Sequence, residues 1–388
     1  MAPIDNKNDG KKNKKLNRRE FMKRSTAGAV GVATGMCTLQ GCHMMSDNLR
    51  TMGYAIFGTE EEAAKGVTPM EPVTSDIVST LALCSSPKAV RPDDGLIDQS
   101  VVQLMFDRLI LSYTGSQSIE EAWKKIIPDL KATDTIGIKI NCINPSLPSN
   151  PEVVNAVINH LVKMGISENN IIVWDRGESG LMGVGSLKRS GYELNDGGKG
   201  VKYTTTSNDR FGYDNDVVAQ VPSAKLKFPV SNIISKECDY LINLPQLRNH
   251  NKTGITQCMK NYYGAVPLFD KLTIGNCAKM HKDNCNPAVP ELYNNEIFIS
   301  KTKLHVCDAL MTIYEGGPMG NPQEILGCLM VGKDPVALDY TGLMMIEQER
   351  QKRGIETLMR RAKYIQTAAE MGIGTNNPDQ MKIKHIQV

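Results

Sequence analysis

The chain has 388 residues, with 45 Lys and Arg against 42 Asp and Glu, a formal charge of +3 and 41% hydrophobic residues. That length can bury one large core or two smaller ones. Residues 1–41 hold nine of the basic residues and three of the acidic ones, which leaves 36 basic against 39 acidic residues beyond them. No basic surplus then remains to support nucleic-acid binding.

The first segment reads as an export signal. Lys11-Lys12-Asn13-Lys14-Lys15 is followed by Asn17-Arg18-Arg19-Glu20-Phe21-Met22-Lys23 and a weakly apolar run from Ala27 to Leu39. The run is shorter than the roughly 20 apolar residues a membrane-spanning helix needs. Basic, then apolar, then small is the order of a cleavable leader. Arg18 and Arg19 resemble the pair of a twin-arginine signal, an address read by a translocase. Leu39-Gln40-Gly41-Cys42 resembles a lipobox, whose cysteine is acylated and becomes the new N-terminus. Gln40 departs from the usual small residue, and plain cleavage nearby would leave Cys42 an ordinary thiol. A stable lipid anchor requires two or more acyl chains. Residues 1–42 therefore predict a periplasmic or cell-envelope lipoprotein. Its partners would be the twin-arginine translocase and, through the anchor, a membrane.

Residues 43–90, punctuated by Met, Thr and Pro with a solvated Glu60-Glu61-Glu62 patch, read as a tether and lead-in to a domain spanning 91–350. Val101, Val102, Leu104, Met105, Leu109 and Ile110 predict a helix over 97–111, closed at Tyr113-Thr114-Gly115. A shorter helix over 120–127 ends at Pro128. Thr135–Ile140 is a strand, and Pro151 behind Asn150 opens a helix that carries Val153, Val154, Val157, Ile158, Leu161 and Val162 and stops at Gly165. Asn170–Trp174 is the next strand, completing a βαβ unit. Further strands are predicted over 201–206, 240–244, 304–307 and 329–331, and helices over 255–262, 289–300 and 336–350. Residues 189–221 form a Gly-, Asn- and Asp-rich insertion, and 351–388 a C-terminal extension. The fold class is α/β, a mostly parallel sheet flanked by helices.

Beyond Cys37 and Cys42 there are Cys84, Cys142, Cys238, Cys258, Cys277, Cys285, Cys307 and Cys328. No pair has C-x-x-C spacing, so there is neither a ferredoxin-type run nor a zinc-knuckle pattern. The even count permits disulfides in an oxidising compartment, whereas the apolar surroundings of several favour buried free thiols.

Ligands of open α/β sheets bind beyond the carboxyl ends of strands, and polar residues collect there. Lys139, Asn141 and Asn144 follow one strand, Asp175 and Arg176 the next. The densest polar loop, Pro245–Gly254, holds Arg248, His250 and Lys252 and leads to Lys260 and Asn261. Asp308 ends a later strand before Gly316-Gly317-Pro318, and Asp334-Pro335-Val336-Ala337-Leu338-Asp339 opens the last long helix. In this order the motifs resemble the domain-of-unknown-function 362 family from about Val90 to Arg350. The family name assigns no general activity. Many of its members carry ferredoxin-like cysteine clusters that this chain lacks, so the resemblance implies no iron–sulfur role here. Arg248 stands where the family pattern has lysine, and exchanges a point donor for a planar fork suited to carboxylate or phosphate.

Each residue also has a plainer reading. Asp175 or Asp308 can cap a turn, Asp334 suits an N-cap, Gly316-Gly317-Pro318 suits a turn, and His160, His305 and His385 suit structural or exposed positions. Cys277, His281 and Cys285 would share one face of a helix and could hold a soft metal, although Asn284 and Asn286 speak for a loop. Arg248, Lys252 and Lys260 crowd His250 and should keep it neutral. The expected site gathers His250, Asp175 and Asp308 as catalytic groups with Lys139, Asn141, Arg248, Lys252, Lys260 and Asn261 as ligand-binding groups. Its ligand would be a small anionic metabolite. The cofactor is left unknown, with a metal possible. The two functions that fit are an exported enzyme and a non-catalytic binding lipoprotein.

Overall fold

A computed structural model describes residues 70–177, 184–206, 211–268 and 274–388. Arg18, Arg19 and Cys42 lie outside the described residues.

The centre is an eight-stranded sheet. Its strands in chain order are β1 (Ser79–Ser85), β2 (Ile136–Lys139), β3 (Ile171–Asp175), β4 (Lys202–Thr205), β7 (Tyr240–Asn243), β10 (Thr302–Thr312), β11 (Glu324–Gly332) and β12 (Met381–Gln387). Hairpin β5 (Tyr213–Val221) and β6 (Leu226–Ser231) and hairpin β8 (Arg248–His250) and β9 (Gly254–Thr256) stand apart from it. The order across the sheet is β12-β1-β11-β10-β7-β2-β3-β4. Every neighbouring pair is parallel except those made by β11, which runs against the rest.

Nine helices among the described residues surround these strands: α1 (Gln99–Thr114), α2 (Ile119–Ile126), α3 (Pro151–Lys163), α4 (Val184–Arg189), α5 (Ile274–Met280), α6 (Ala288–Tyr293), α7 (Glu296–Lys301), α8 (Pro335–Gln351) and α9 (Tyr364–Glu370). Both faces of the sheet are apolar, which explains the unbroken hydrophobic runs of the strands. Side chains alternate between faces. Ile136, Ile138, Ile171 and Val173 pack with Phe106, Trp123 and Val157 from α1, α2 and α3. Ile172, Trp174 and Leu241 point the other way, into a core shared with Tyr262, Leu338 and Leu343.

Local chemistry sets the element ends. Asp98 caps α1 by accepting from Ser100 N and Val101 N, and Gly115 ends it in a left-handed conformation. Asp334 caps α8 by accepting from Val336 N and Ala337 N, with Pro335 at the first helical position.

The structure differs from expectation in three stretches. The helix expected over 255–262 is replaced by β9 and a tight 3₁₀ turn over Lys260–Ala265. The helix expected over 289–300 is split into α6 and α7 by Asn294 and Asn295. The sheet also reaches beyond residues 91–350: β1 pairs with β11 on one side and with β12 on the other.

Candidate functional site

Strands β2, β3 and β7 end level with one another, placing Lys139 beside Trp174 and Asn243 in register. Just past these carboxyl ends lies a cleft of about 80 Å³, lined by Asn141, Asp175, Arg176, His250, Lys260 and Asn261 among others. Since a water occupies roughly 10–15 Å³ by this measure, the space suits a small metabolite or a few waters.

Lys139 and Asp175 form the floor. Lys139 Nζ donates to Asp175 Oδ1 at 2.6 Å and to Ile140 O at 2.7 Å. Asp175 also accepts from Cys142 N at 2.6 Å and Arg176 N at 2.7 Å. The pair is buried, and burial lowers the Lys139 ammonium below its usual range while the Asp175 charge acts to raise it. Gly264 lies directly against the pair, because a Cβ there would sit 2.7 Å from Lys139 Nζ and 3.0 Å from Asp175 Oδ1. Any side chain at 264 would push these groups apart.

Asn261 ties the floor together. Its Nδ2 donates to Asn243 Oδ1 at 2.7 Å and Lys139 O at 3.2 Å, while its Oδ1 accepts from Asn141 Nδ2 at 3.1 Å. Behind Asn141 lies Arg248, fully buried, which donates to Asn141 Oδ1 and, at 2.6 Å, to Leu147 O. Burial lowers the Arg248 guanidinium to about 10, with the Asp175 charge acting against that shift.

Lys260, Tyr263 and two histidines form the wall. Lys260 Nζ lies 3.9 Å from the centre of the Tyr263 ring and 3.2 Å from His281 Nε2. His281 Nδ1 is 2.8 Å from Cys277 O and must donate to it, so Nε2 keeps the lone pair. His250 is the opposite tautomer: its Nδ1 accepts from Lys252 N at 3.1 Å and Thr253 N at 3.2 Å, leaving Nε2–H as the donor. The two imidazoles stack with centres 5.8 Å apart and planes 17° from parallel. Burial and then the Lys260 charge hold His250 far below the usual histidine range. The same two causes lower His281 to about 4.

Of the residues expected from sequence, Asn141, Asp175, His250, Lys260 and Asn261 line this cleft, and Lys139 and Arg248 back it. Asp308 and Lys252 stand apart. Asp308 is buried in β10, where it accepts from Asn150 N at 2.8 Å, Asn150 Nδ2 at 2.7 Å and Leu310 N at 3.1 Å. It anchors the start of α3, and burial raises its carboxyl to about 6. Lys252 is exposed, and its backbone rather than its side chain reaches His250. Asp334 is an N-cap, and Gly317 makes a turn in which a Cβ would meet Asn249 O at 2.0 Å.

The even spacing of Cys277, His281 and Cys285 does not give one helical face. The helix stops at Met280, and Asp283, Asn284 and Cys285 take positive φ. Among the described residues no group of three His, Cys, Asp or Glu is placed to hold a metal ion. The described cysteines are all free thiols, with the buried Cys258 and Cys307 sulfurs 3.3 Å apart. His281, Tyr263 and Asn243 also belong to the site, although spacing groups His281 only with Cys277 and Cys285 and marks neither of the other two. His281 reaches Lys260 only through the path of the intervening chain.

No curated protein matches this chain. A crystal structure of a Thermotoga maritima protein, a structural-genomics target, is similar at a TM-score of 0.35 and 12% identity, covering 65% of this chain and 58% of its own. This chain thus spans little more than half of that relative's length. The family described as Domain of unknown function (DUF362) matches residues 136–344, which take in the strands and loops that build the cleft, and the chain belongs to that family.

Proposed function

We propose that this protein is an exported, lipid-anchored enzyme that binds a small anionic metabolite in the cleft beyond β2, β3 and β7. The observation that carries the reading is the charge balance. Asp175 is the carboxylate of the cleft, and it is paired with Lys139. Buried Arg248 and Lys260 have no carboxylate in salt-bridge reach among the described residues. Buried charges are costly unless paired. A bound carboxylate or phosphate would supply the missing counter-charge.

The acid–base inventory supports an enzyme over a passive binder. Two neutral imidazoles with opposite tautomers offer one N–H donor, at His250 Nε2, and one lone pair, at His281 Nε2. Both kinds of group serve proton transfer, and fixed cations stabilise negative charge that develops on a substrate. Export and anchoring rest on Arg18-Arg19 and Leu39-Gln40-Gly41-Cys42. The reading is tested by titrating the purified protein with small mono- and dicarboxylates, phosphate and phosphate esters in a thermal-shift assay. At least one class should raise the melting temperature saturably at low ionic strength. A flat response across the series would remove the reading.

A further inference from the structure

Lys260, His281 and the backbone of α5 form a chain of three groups that anion binding alone does not need. The Lys260 amine sits 3.2 Å from His281 Nε2, and His281 Nδ1–H is fixed on Cys277 O at 2.8 Å. A nucleophile, a base within hydrogen-bond reach and a third group orienting the base make up the recurring geometry of covalent catalysis. Both side chains line the cleft, so a ligand can reach the amine. The Tyr263 ring, 3.9 Å from Nζ and edge-on to His281, fixes the amine in place.

We propose that Lys260 forms an imine with a small carbonyl compound that also carries an anionic group, such as a 2-oxo acid, with His281 moving the proton. This deepens the anionic-metabolite reading and rests on it. The Nζ lone pair attacks the carbonyl carbon, a C–N bond forms, and the π pair moves to oxygen. His281 Nε2 relays one proton from nitrogen to that oxygen, giving the neutral carbinolamine, and then relays the second nitrogen proton to its hydroxyl, which leaves as water. The sum is amine plus carbonyl giving imine plus water, with no change in oxidation state. Burial lowers the Lys260 ammonium, which favours the free amine that this step requires. The anionic group would lie toward Arg176 and the Nε2–H of His250, which line the same cleft. A compound of this kind uses both the positive lining of the cleft and the nucleophile; an inorganic anion uses the charge alone.

The test incubates the full chain with glyoxylate, pyruvate or 2-oxoglutarate and sodium cyanoborohydride, followed by intact-mass and peptide mass spectrometry. The expected result is one stoichiometric adduct, adding the mass of the oxo acid less one oxygen, mapped to Lys260. The adduct should be absent in Lys260→Arg, which keeps the charge, and should form at least tenfold more slowly in His281→Phe. Thermal-shift binding of the same acids is measured in parallel on wild type and Lys260→Arg. Binding without an adduct at Lys260, or labelling scattered over exposed lysines, overturns the imine and leaves the anion reading standing. The absence of both binding and adduct for every acid overturns both.

Discussion

His250 and His281 share one cleft and one pair of cationic neighbours, yet their proton positions are opposite. Backbone N–H groups of Lys252 and Thr253 claim Nδ1 of the first, while the carbonyl of Cys277 claims the Nδ1 proton of the second. A long-range ¹H–¹⁵N spectrum at pH 7 should therefore show His250 as the Nε2–H tautomer and His281 as the Nδ1–H tautomer, both neutral. A doubly protonated pattern for either ring would contradict the site geometry. The sign of the linked stability follows. His281 is lowered to about 4, so near pH 5 the unfolded chain binds a proton there that the native state refuses. Its contribution to stability is present above about pH 6.5 and is lost as pH falls through about 4. The neutrality of His250 could be read from the crowding of Arg248, Lys252 and Lys260. Its largest cause, burial, could not, because a polar loop gives no sign that it will be covered. His281 was hidden for a related reason: its partner, Lys260, is set by a tertiary contact, whereas spacing alone pointed to Cys277 and Cys285.

The segment from β9 to Ala265 carries Lys260, Asn261, Tyr263 and Gly264 into the site, and Asp339 of α8 holds its start. Asp339 accepts from Cys258 N at 2.7 Å, Met259 N at 3.3 Å and Tyr364 OH at 3.0 Å. Those two amides are turned toward a carboxylate, and Asn261 spends its side chain on β2 and β7. A helix over 255–262 gives way to these bonds, as tertiary context overrides weak local preference. Burial raises the Asp339 carboxyl from 3.8 to about 7. The native state then keeps a proton that the unfolded chain releases. The Asp339 contribution is greatest below about pH 4 and is lost as pH rises to about 7, by up to about 1.4 kcal/mol per pH unit. Asp339→Asn should remove this slope, seen as a flatter pH dependence of urea-unfolding free energy between pH 4.5 and 7 than in wild type. An unchanged slope would mean that Asp339 does not titrate in this range. The capped elements were legible: Asp334-Pro335 for α8 and Gly115 for the end of α1. Asn150 marked the start of α3, but its amide serves Asp308 rather than capping the helix.

At the scale of the whole molecule, the βαβ unit over 135–174 announced the parallel sheet, and looser strand-like stretches over 201–206, 240–244, 304–307 and 329–331 fell on β4, β7, β10 and β11. Strand β1 was not legible, since Ser79–Ser85 follows a Pro- and Thr-punctuated stretch and gains its strand character from β11 and β12, which lie some 240 to 300 residues away in sequence. The leader gives a separate expectation. Changing Arg18 and Arg19 together to Lys should leave precursor in the cytoplasm, because the translocase reads the paired guanidinium groups. Cys42→Ser should move the exported protein from the detergent phase to the aqueous phase, and membrane attachment that survives it would argue against acylation. The central claim is that excess buried positive charge at the carboxyl edge of the sheet holds an anion. Calorimetric titration with the best anion from the thermal-shift series tests it most directly, comparing wild type with Lys260→Met inside the cleft and Lys252→Ala outside it. The account expects Lys260→Met to weaken binding at least about tenfold, equivalent to about 1.4 kcal/mol, and Lys252→Ala to change it less than about twofold, as suits an exposed, screened charge. Equal losses in the two variants, or undiminished binding in Lys260→Met, would contradict it.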